Sequence, residues 1–257
     1  MKIGGTSLDP LFIWKKKHSI AEAVDFATSV AATLARLGSG GYVAHVGKRP
    51  AKLLELYERE VCPFSRKVRE AMSILDLDAI VHPCAPEPRR FRSVVEGYVG
   101  KFQIPLLVDP NTSSTVTDSD AIVRYLFRQY GDGKVPLALR MGPLTDATSK
   151  FATLLRISKA SESPPTKEPD DLLELYSYEA SPYCRLVRET LMKWEIPYIV
   201  HNVARGSPKR AGFAERTGKM QFPYLIDKAR GIEMFETRAI IDYIDDHFGT
   251  NGRLKAN

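Results

Sequence analysis

The chain contains one segment twice, and this repeat limits the folds that it can adopt. The run Leu53-Leu54-Glu55-Leu56-Tyr57 recurs 119 positions later, beginning at Leu172. Compared without gaps from residue 53 to residue 70, the two copies are identical at 11 of 18 positions. After a one-residue gap the register continues at an offset of 118 and aligns Gln103-Ile104-Pro105 with Gln221-Phe222-Pro223. The chain is therefore a tandem duplication, and we expect one folded domain in each copy.

Both copies predict the same order of elements. A short apolar run indicates a buried strand, and a turn with Cys, Pro and Ser leads into a helix whose first residue is the proline. A second strand, a charged helix, a hairpin and a last helix follow. The predicted elements begin near residues 53, 63, 79, 90, 105 and 118, and near residues 172, 182, 198, 208, 223 and 236. The order βαβαββα, with a proline entering the third strand, predicts two α/β domains of the thioredoxin fold in its glutaredoxin-like form. Each is expected to have a four-stranded mixed sheet flanked by helices.

The repeat and the composition of the intervening segments predict four regions. These are an N-terminal extension (1–50) with one helix over 19–37, a first domain (51–131), a linker (132–171) with a bridging helix over 143–159, and a second domain (172–249). Ser and Pro are frequent over 160–171, as is typical of a linker.

Composition narrows the classes of protein further. Hydrophobic residues make up 44 %, but no apolar run approaches the roughly 18–20 residues of a membrane-spanning helix. We therefore expect a soluble chain. The 37 Lys+Arg and 31 Asp+Glu give a net charge of +6, and the charges interleave. Interleaving favours a solvated surface or capture of a small anion over a nucleic-acid face.

Three cysteines without a cleavable apolar leader indicate a reducing compartment.

The turn Cys62-Pro63-Phe64-Ser65 is the strongest chemical signal. A cysteine just before a helix is placed where unpaired backbone N–H groups and the helix dipole favour the thiolate, the nucleophilic form. Ser65 stands where a second thiol would be needed to close a disulfide. Cys62 is thus predicted to react by a monothiol route, in which it forms a mixed disulfide that a second thiol releases. A helix-cap residue without chemistry is the alternative.

The second copy reverses this arrangement, with Ser181 first and Cys184 fourth in the turn. Ser181 is a good N-cap, and Cys184 is predicted to be a buried structural thiol. A disulfide between Cys62 and Cys184 is not expected, because their Cα atoms would have to lie within about 7 Å.

Two proline bonds and two acid–hydroxyl pairs complete a candidate site in each copy. Ile104-Pro105 and Phe222-Pro223 are candidates for cis peptide bonds. Asp118-Ser119 and Glu236-Thr237 would place an acid and a hydroxyl at a helix N-terminus, where they suit an amine and a carboxylate respectively. Ordinary strand-start prolines and plain helix caps are the alternatives. Cys84, after His82-Pro83, lacks a third ligand for a metal, so we predict a loop cysteine and no metal site.

With these motifs the chain resembles the glutathione S-transferase N-terminal domain and the glutaredoxins. It is most similar to plant and algal plastid proteins built from two such domains, and the likeness covers roughly residues 50–250. Those proteins generally carry Cys-Pro-Phe-Cys in the first copy, so Ser65 departs from the family pattern. A second thioredoxin-like copy also stands where glutathione transferases have an all-helical domain, so full transferase activity is not expected.

The resemblance implies glutathione as co-substrate or ligand, a plastid location (a cytoplasmic one is the alternative), and a set of glutathione-contacting positions. They are Phe64, Lys101, Ile104, Pro105, Asp118 and Ser119 in the first copy, and Tyr183, Lys219, Phe222, Pro223, Glu236 and Thr237 in the second. The leading function is glutathione-linked thiol–disulfide exchange by Cys62, with Ser65 beside it and a protein disulfide as a candidate substrate. The alternatives are a non-catalytic module that binds glutathione or a protein, and iron–sulfur binding through Cys62 and glutathione.

Overall fold

The computed structural model describes residues 40–140 and 168–249. The helices predicted over 19–37 and 143–159, and the linker from residue 141 to residue 167, lie outside these residues. The first copy contains β1 (Leu54–Glu58), α1 (Pro63–Ile74), β2 (Ala79–Pro83), α2 (Arg92–Val99), β3 (Leu106–Asp109), β4 (Ser114–Thr117) and α3 (Ser119–Tyr130), and the short α4 (Leu137–Arg140) follows in the segment predicted as the linker. The second copy contains β5 (Leu173–Ser177), α5 (Pro182–Lys193), β6 (Tyr198–Asn202), α6 (Lys209–Thr217), β7 (Tyr224–Asp227), β8 (Ile232–Phe235) and α7 (Thr237–Phe248). The predicted order βαβαββα is therefore confirmed in both copies.

The eight strands form one continuous sheet in the order β4-β3-β1-β2-β6-β5-β7-β8. Within each copy the first two strands are parallel, and the hairpin is added antiparallel to the first strand. The copies meet where β2 pairs antiparallel with β6. Sequence analysis predicted the two four-stranded sheets but not this edge-to-edge pairing.

The junction between the copies has local two-fold symmetry. Ile80 pairs with Ile199, and these residues are 119 positions apart, so each is the repeat equivalent of the other. An antiparallel pair centred on equivalent residues has its two-fold axis perpendicular to the sheet. Consequently β1 and β5 run antiparallel, and the turns that follow them open at opposite ends of the sheet.

Helices cover both faces of the sheet. Residues of α1, α3, α5 and α7 pack with inward-facing strand residues such as Leu56 and Leu175 in one continuous apolar core. On the other face, α2 packs through Val95 onto Tyr57 and Leu106, and α6 packs through Phe213 onto Tyr224. Alternate strand residues therefore face opposite cores, which explains the continuous apolar character of the strands in the sequence.

A cluster of buried charges lies between α1 and α5 at the junction. Arg69 donates to Glu179 at 2.9 Å, and its equivalent Arg188 donates to Glu60 at 2.9 Å. Arg69 also donates to Glu58, whereas the equivalent position in the second copy is Ser177, whose hydroxyl accepts from Arg188 at 3.1 Å. All five charged residues are at most 7 % exposed.

Arg66 and Arg185 lie at the edge of this cluster, 3.7 Å from Glu179 and 3.8 Å from Glu60, and the pKa values of its carboxyl groups differ with their surroundings. Burial raises the pKa of Glu58 to about 7, although Arg69 opposes the shift. Burial would raise the pKa of Glu179 too, but Arg188 and Arg69 outweigh it and lower that pKa to about 2. Glu58 is thus the group that takes up a proton near neutral pH.

The segment before β1 also joins the two copies. The Val43 amide donates to the Arg205 carbonyl at 2.8 Å, and the Gly47 amide donates to the Leu75 carbonyl at 2.8 Å. Gly40, at φ +77°, lies so close to the cluster that an added Cβ would stand 3.0 Å from the Cβ of Glu179. No helix within the described residues is long and apolar enough to cross a membrane.

Glu58→Gln is expected to flatten the pH dependence of stability between about pH 5 and pH 8. The pKa of Glu58 is higher in the folded protein than in the unfolded chain, so the fold binds more protons in this range. Its contribution to stability is therefore present below the unfolded pKa and is lost as pH rises through about 7. Urea midpoints at several pH values measure this slope.

Glu179→Gln is the matched control. Its pKa is lowered on folding, so its contribution is lost as pH falls below about 4.5 and the slope above pH 5 should stay like that of the parent. An unchanged slope in Glu58→Gln would contradict the assignment.

Candidate functional site

Cys62 is the N-cap of α1, at the end of the turn that follows β1. Its amide donates to the Arg59 carbonyl at 2.9 Å, and its own carbonyl accepts from the Arg66 amide at 3.0 Å. The Cys62 side chain makes no capping hydrogen bond, and it is partly exposed. Cys62 is therefore placed at a helix N-terminus and is partly accessible to solvent.

Ser65, which was predicted as the second member of this site, is completely buried. Its hydroxyl accepts a hydrogen bond from the Arg59 amide at 3.2 Å. Ser65 thus holds the turn from the buried side through this hydrogen bond, and it is not positioned to contact a substrate.

The peptide bonds Ile104-Pro105 and Phe222-Pro223 are both cis, which confirms the prediction from the sequence. Strand register brings the first of them to the Cys62 turn. Tyr57 pairs with Leu106, so Pro105 lies level with Glu58, where β1 leads into the turn. Tyr176 pairs with Tyr224 in the same way, so Pro223 lies level with Ser177.

Asp118 reaches the same end of the sheet. Leu106 pairs with Thr117, so Asp118 lies opposite Pro105. Asp118 caps α3, and its Oδ1 accepts from the amides of Asp120 and Ala121, each at 3.0 Å. The side chain is exposed, which leaves a carboxylate oxygen facing solvent, whereas the neighbouring Ser119 is buried. Three separate segments of sequence therefore converge beside Cys62.

The remaining predicted contacts in the first copy lie at its rim. Phe64, the second residue of α1, is 41 % exposed, an unusual environment for a phenylalanine. Lys101 is exposed and follows Gly100, which ends α2 in the left-handed conformation. Ile104 is partly buried against the apolar cluster under α2.

The second copy keeps this frame but has no exposed thiol. Ser181 caps α5, and its hydroxyl accepts from the Cys184 amide at 3.2 Å. Ser181 is 3 % exposed and Cys184 is completely buried. Glu236 occupies the N-cap position of α7 but makes no side-chain capping bond, and its carboxylate accepts from Gln221 at 2.6 Å instead. Tyr183, Phe222 and Thr237 are partly buried, Pro223 is buried, and Lys219 is exposed.

Sequence analysis did not identify two arginines that flank these turns. Arg59 donates to the carbonyls of Cys84 at 3.2 Å and of Ala85 at 2.8 Å. In the second copy, Arg210 donates to the carbonyl of Val203 at 2.9 Å, and Val203 is the repeat equivalent of Cys84. The two guanidinium groups come from non-equivalent positions in the repeat, so comparing the copies gives no signal for them.

Cys84 follows β2 and is completely buried. Burial raises the pKa of its thiol well above the usual value. A protonated, buried thiol is a poor nucleophile, so Cys84 does not resemble a reactive site. Within residues 40–140 and 168–249, no group of three or more His, Cys, Asp or Glu side chains is arranged to hold a metal ion.

A comparison with protein families gives a significant match. The family model described as glutathione S-transferase, N-terminal domain, matches the chain twice, over residues 56–134 and 175–252. The two matches coincide with the two copies and together cover more than half of the chain. A search of curated proteins and a search of solved structures each found no significant match.

Burial predicts which thiols are reactive in the folded protein. Iodoacetamide should modify Cys62 under native conditions, whereas Cys84 and Cys184 should react only after unfolding in urea. Peptide mass spectrometry of the alkylated protein measures this order. Native-state modification of Cys184 at a rate comparable to that of Cys62 would contradict it.

The two helix caps should differ in strength although they occupy equivalent positions. Asp118→Ala removes an acceptor of two amide hydrogen bonds and should lower the free energy of unfolding by about 1 kcal/mol. Glu236→Ala is the matched control, because Glu236 has the same φ of 71° and makes no capping bond. Urea unfolding measures both losses. Equal losses would show that the Asp118 cap contributes nothing specific.

Proposed function

The chain belongs to the glutathione S-transferase N-terminal-domain family, and on this premise we propose that it carries out glutathione-linked thiol–disulfide exchange with Cys62 as the nucleophile. The observation that carries the proposal is the partly exposed Cys62 thiol at the N-terminus of α1, beside cis Pro105 and the exposed carboxylate of Asp118.

The exchange needs two thiol-transfer steps. The Cys62 thiolate attacks the glutathione sulfur of a mixed disulfide. A disulfide between Cys62 and glutathione forms, the original S–S bond breaks, and the substrate leaves as a thiolate that takes a proton. A second glutathione, as its thiolate, then attacks the glutathione sulfur bound to Cys62. Oxidised glutathione leaves, and the Cys62 thiolate is regenerated.

The monothiol route is supported by the surroundings of Cys62. Ser65 cannot form a disulfide, and its hydroxyl is held by the Arg59 amide. Cys84 is buried with a raised pKa, so it is a poor resolving thiol. The resolving thiol therefore comes from a second glutathione.

Glutathione is a peptide with an ammonium group and two carboxylates, and the first copy offers complementary groups. The backbone around Ile104-Pro105 borders the turn and is suited to pair with an extended peptide. The exposed Asp118 carboxylate suits the ammonium group, and the Lys101 ammonium suits a carboxylate. Phe64 supplies an exposed apolar surface for the body of the peptide.

The second copy is proposed to bind or support without exchanging thiols. Its turn presents Ser181, whose hydroxyl caps α5, and its cysteine is fully buried. This combination favours a non-catalytic role for the second domain and not for the first. The glutathione-contacting positions proposed for it remain Tyr183, Lys219, Phe222, Pro223, Glu236 and Thr237.

The test is reduction of a glutathione mixed disulfide, with glutathione as the reductant. Cys62→Ser should lose nearly all turnover because the attacking sulfur is gone. Cys184→Ala is the control, and it should keep turnover within about twofold because Cys184 is buried. An inactive parent whose Cys62 is reduced and alkylatable would overturn the exchange proposal and favour a binding module. Activity that survives Cys62→Ser but not Cys184→Ala would place the nucleophile in the second domain.

A further inference from the structure

We propose that the second domain acts as a brace that positions the Cys62 turn, with Arg188, Met192 and Glu195 as positioning residues. This inference rests on the proposed function, because it assigns these residues a role in the reactivity of Cys62. All three residues belong to the second domain, where they lie on α5 or in the turn that follows it.

The first contact holds Glu60, two residues before Cys62. Arg188 donates to both carboxylate oxygens of Glu60, from Nε at 2.9 Å and from Nη2 at 3.0 Å. The pair is almost completely buried, with 3 % of the Arg188 side chain and 1 % of the Glu60 side chain exposed. The Glu60 amide also donates to the sulfur of Met192 at 3.2 Å. Both the backbone and the side chain of Glu60 are therefore fixed by α5.

The second contact holds the loop after β2, which lies against the turn. Glu195, at φ +48°, directs its carboxylate across the junction. This carboxylate accepts from three backbone amides of the first domain, those of Ala85 at 3.2 Å, Arg89 at 3.0 Å and Arg90 at 2.9 Å. A buried carboxylate that accepts several backbone N–H groups makes strong charge-assisted bonds and orders the loop that supplies them.

Arg59 connects this loop to the turn. Its guanidinium donates to the carbonyls of Cys84, Ala85 and Pro86, while its amide donates to Ser65 at the start of α1. The chain from Arg59 to Cys62 is thus attached on one side to the loop that Glu195 orders and on the other side to Arg188 and Met192. The second domain supplies Arg188 and Met192 directly and orders the loop through Glu195, while Arg69 of the first domain adds a hydrogen bond to the Glu60 carbonyl at 3.1 Å.

The brace matters because thiol–disulfide exchange requires the attacking sulfur to approach a disulfide in a narrow range of geometry. Displacement of a reacting group by about 1 Å can lower a rate by up to two orders of magnitude. The four residues between β1 and α1 form neither strand nor helix, so the contacts that other segments make with them decide that geometry. Buried, bidentate ion pairs hold atoms more closely than apolar contacts do.

The two-fold symmetry provides a matched pair of variants. Glu60 and Glu179 are repeat equivalents, each is paired with the arginine of the opposite domain, and each stands two residues before the N-cap residue of its helix, Cys62 or Ser181. Glu60→Gln loosens the turn that carries Cys62. Glu179→Gln removes one charge from the same cluster but loosens the turn that carries Ser181, which has no exposed thiol.

The experiment measures three quantities on the full chain: the urea midpoint, the alkylation rate of Cys62 by iodoacetamide, and kcat and KM for a glutathione mixed disulfide. We expect Glu60→Gln to lower kcat roughly tenfold and to change the alkylation rate severalfold. Glu179→Gln should lose similar stability, with both rates within about twofold of the parent. Glu195→Gln leaves the ion cluster intact and should shift the rates in the same direction as Glu60→Gln. If Glu60→Gln does not fold, Glu195→Gln takes its place in this experiment.

Equal rate losses in Glu60→Gln and Glu179→Gln, or unchanged rates in Glu60→Gln, would overturn the brace. The alkylation rate separates this result from failure of the proposed function. If the parent has no turnover, the proposal of thiol–disulfide exchange is wrong. The brace would still be supported if the alkylation rate of Cys62 changes in Glu60→Gln but not in Glu179→Gln. An unchanged alkylation rate in Glu60→Gln would overturn it.

Discussion

The ion cluster between α1 and α5 is the interaction on which the arrangement of this protein depends. Charges taken out of water are costly to bury, and breaking a buried pair by removing one partner typically costs about 3–5 kcal/mol. Arg69 and Arg188 each pair with carboxylates of both domains, and the pairs that cross the junction form only when the two domains meet in this arrangement. The cluster therefore fixes how the two domains sit against each other, together with the pairing of β2 with β6, whose register is set by the buried residues of both strands.

The two domains share one frame and differ at the turn that carries the candidate nucleophile. The two copies have equivalent strands, helices and cis prolines. They differ at the turn itself. Cys62 aligns with Ser181, Arg59 with Tyr178, and Glu58 with Ser177. The first domain has an exposed sulfur and an additional buried acid. The second domain has neither, and its contacts with Glu60 and with the loop after β2 give it a part in supporting the first.

Much of the fold followed from local patterns in the sequence. The apolar run at 53–57 and its repeat at 172–176 predicted β1 and β5 within a residue, because a short buried strand needs only a continuous apolar segment. The Pro63 and Pro182 helix starts were equally clear, since proline suits the first turn of a helix. Glu236 shows the limit of such reasoning, because position alone suggested a side-chain cap that its contact with Gln221 replaces.

The sequence by itself determined that the chain holds two thioredoxin-like domains, that Cys62 and Cys184 occupy different positions in their turns, and that two proline bonds suit the cis form. These features depend on residues close together in the chain. Only the tertiary structure decided that the sheets join at Ile80 and Ile199, and that Glu60 and Glu195 connect the domains beside Cys62. Those contacts join residues more than 100 positions apart. A buried glutamate or arginine cannot be told from a solvated one until the fold supplies its partner.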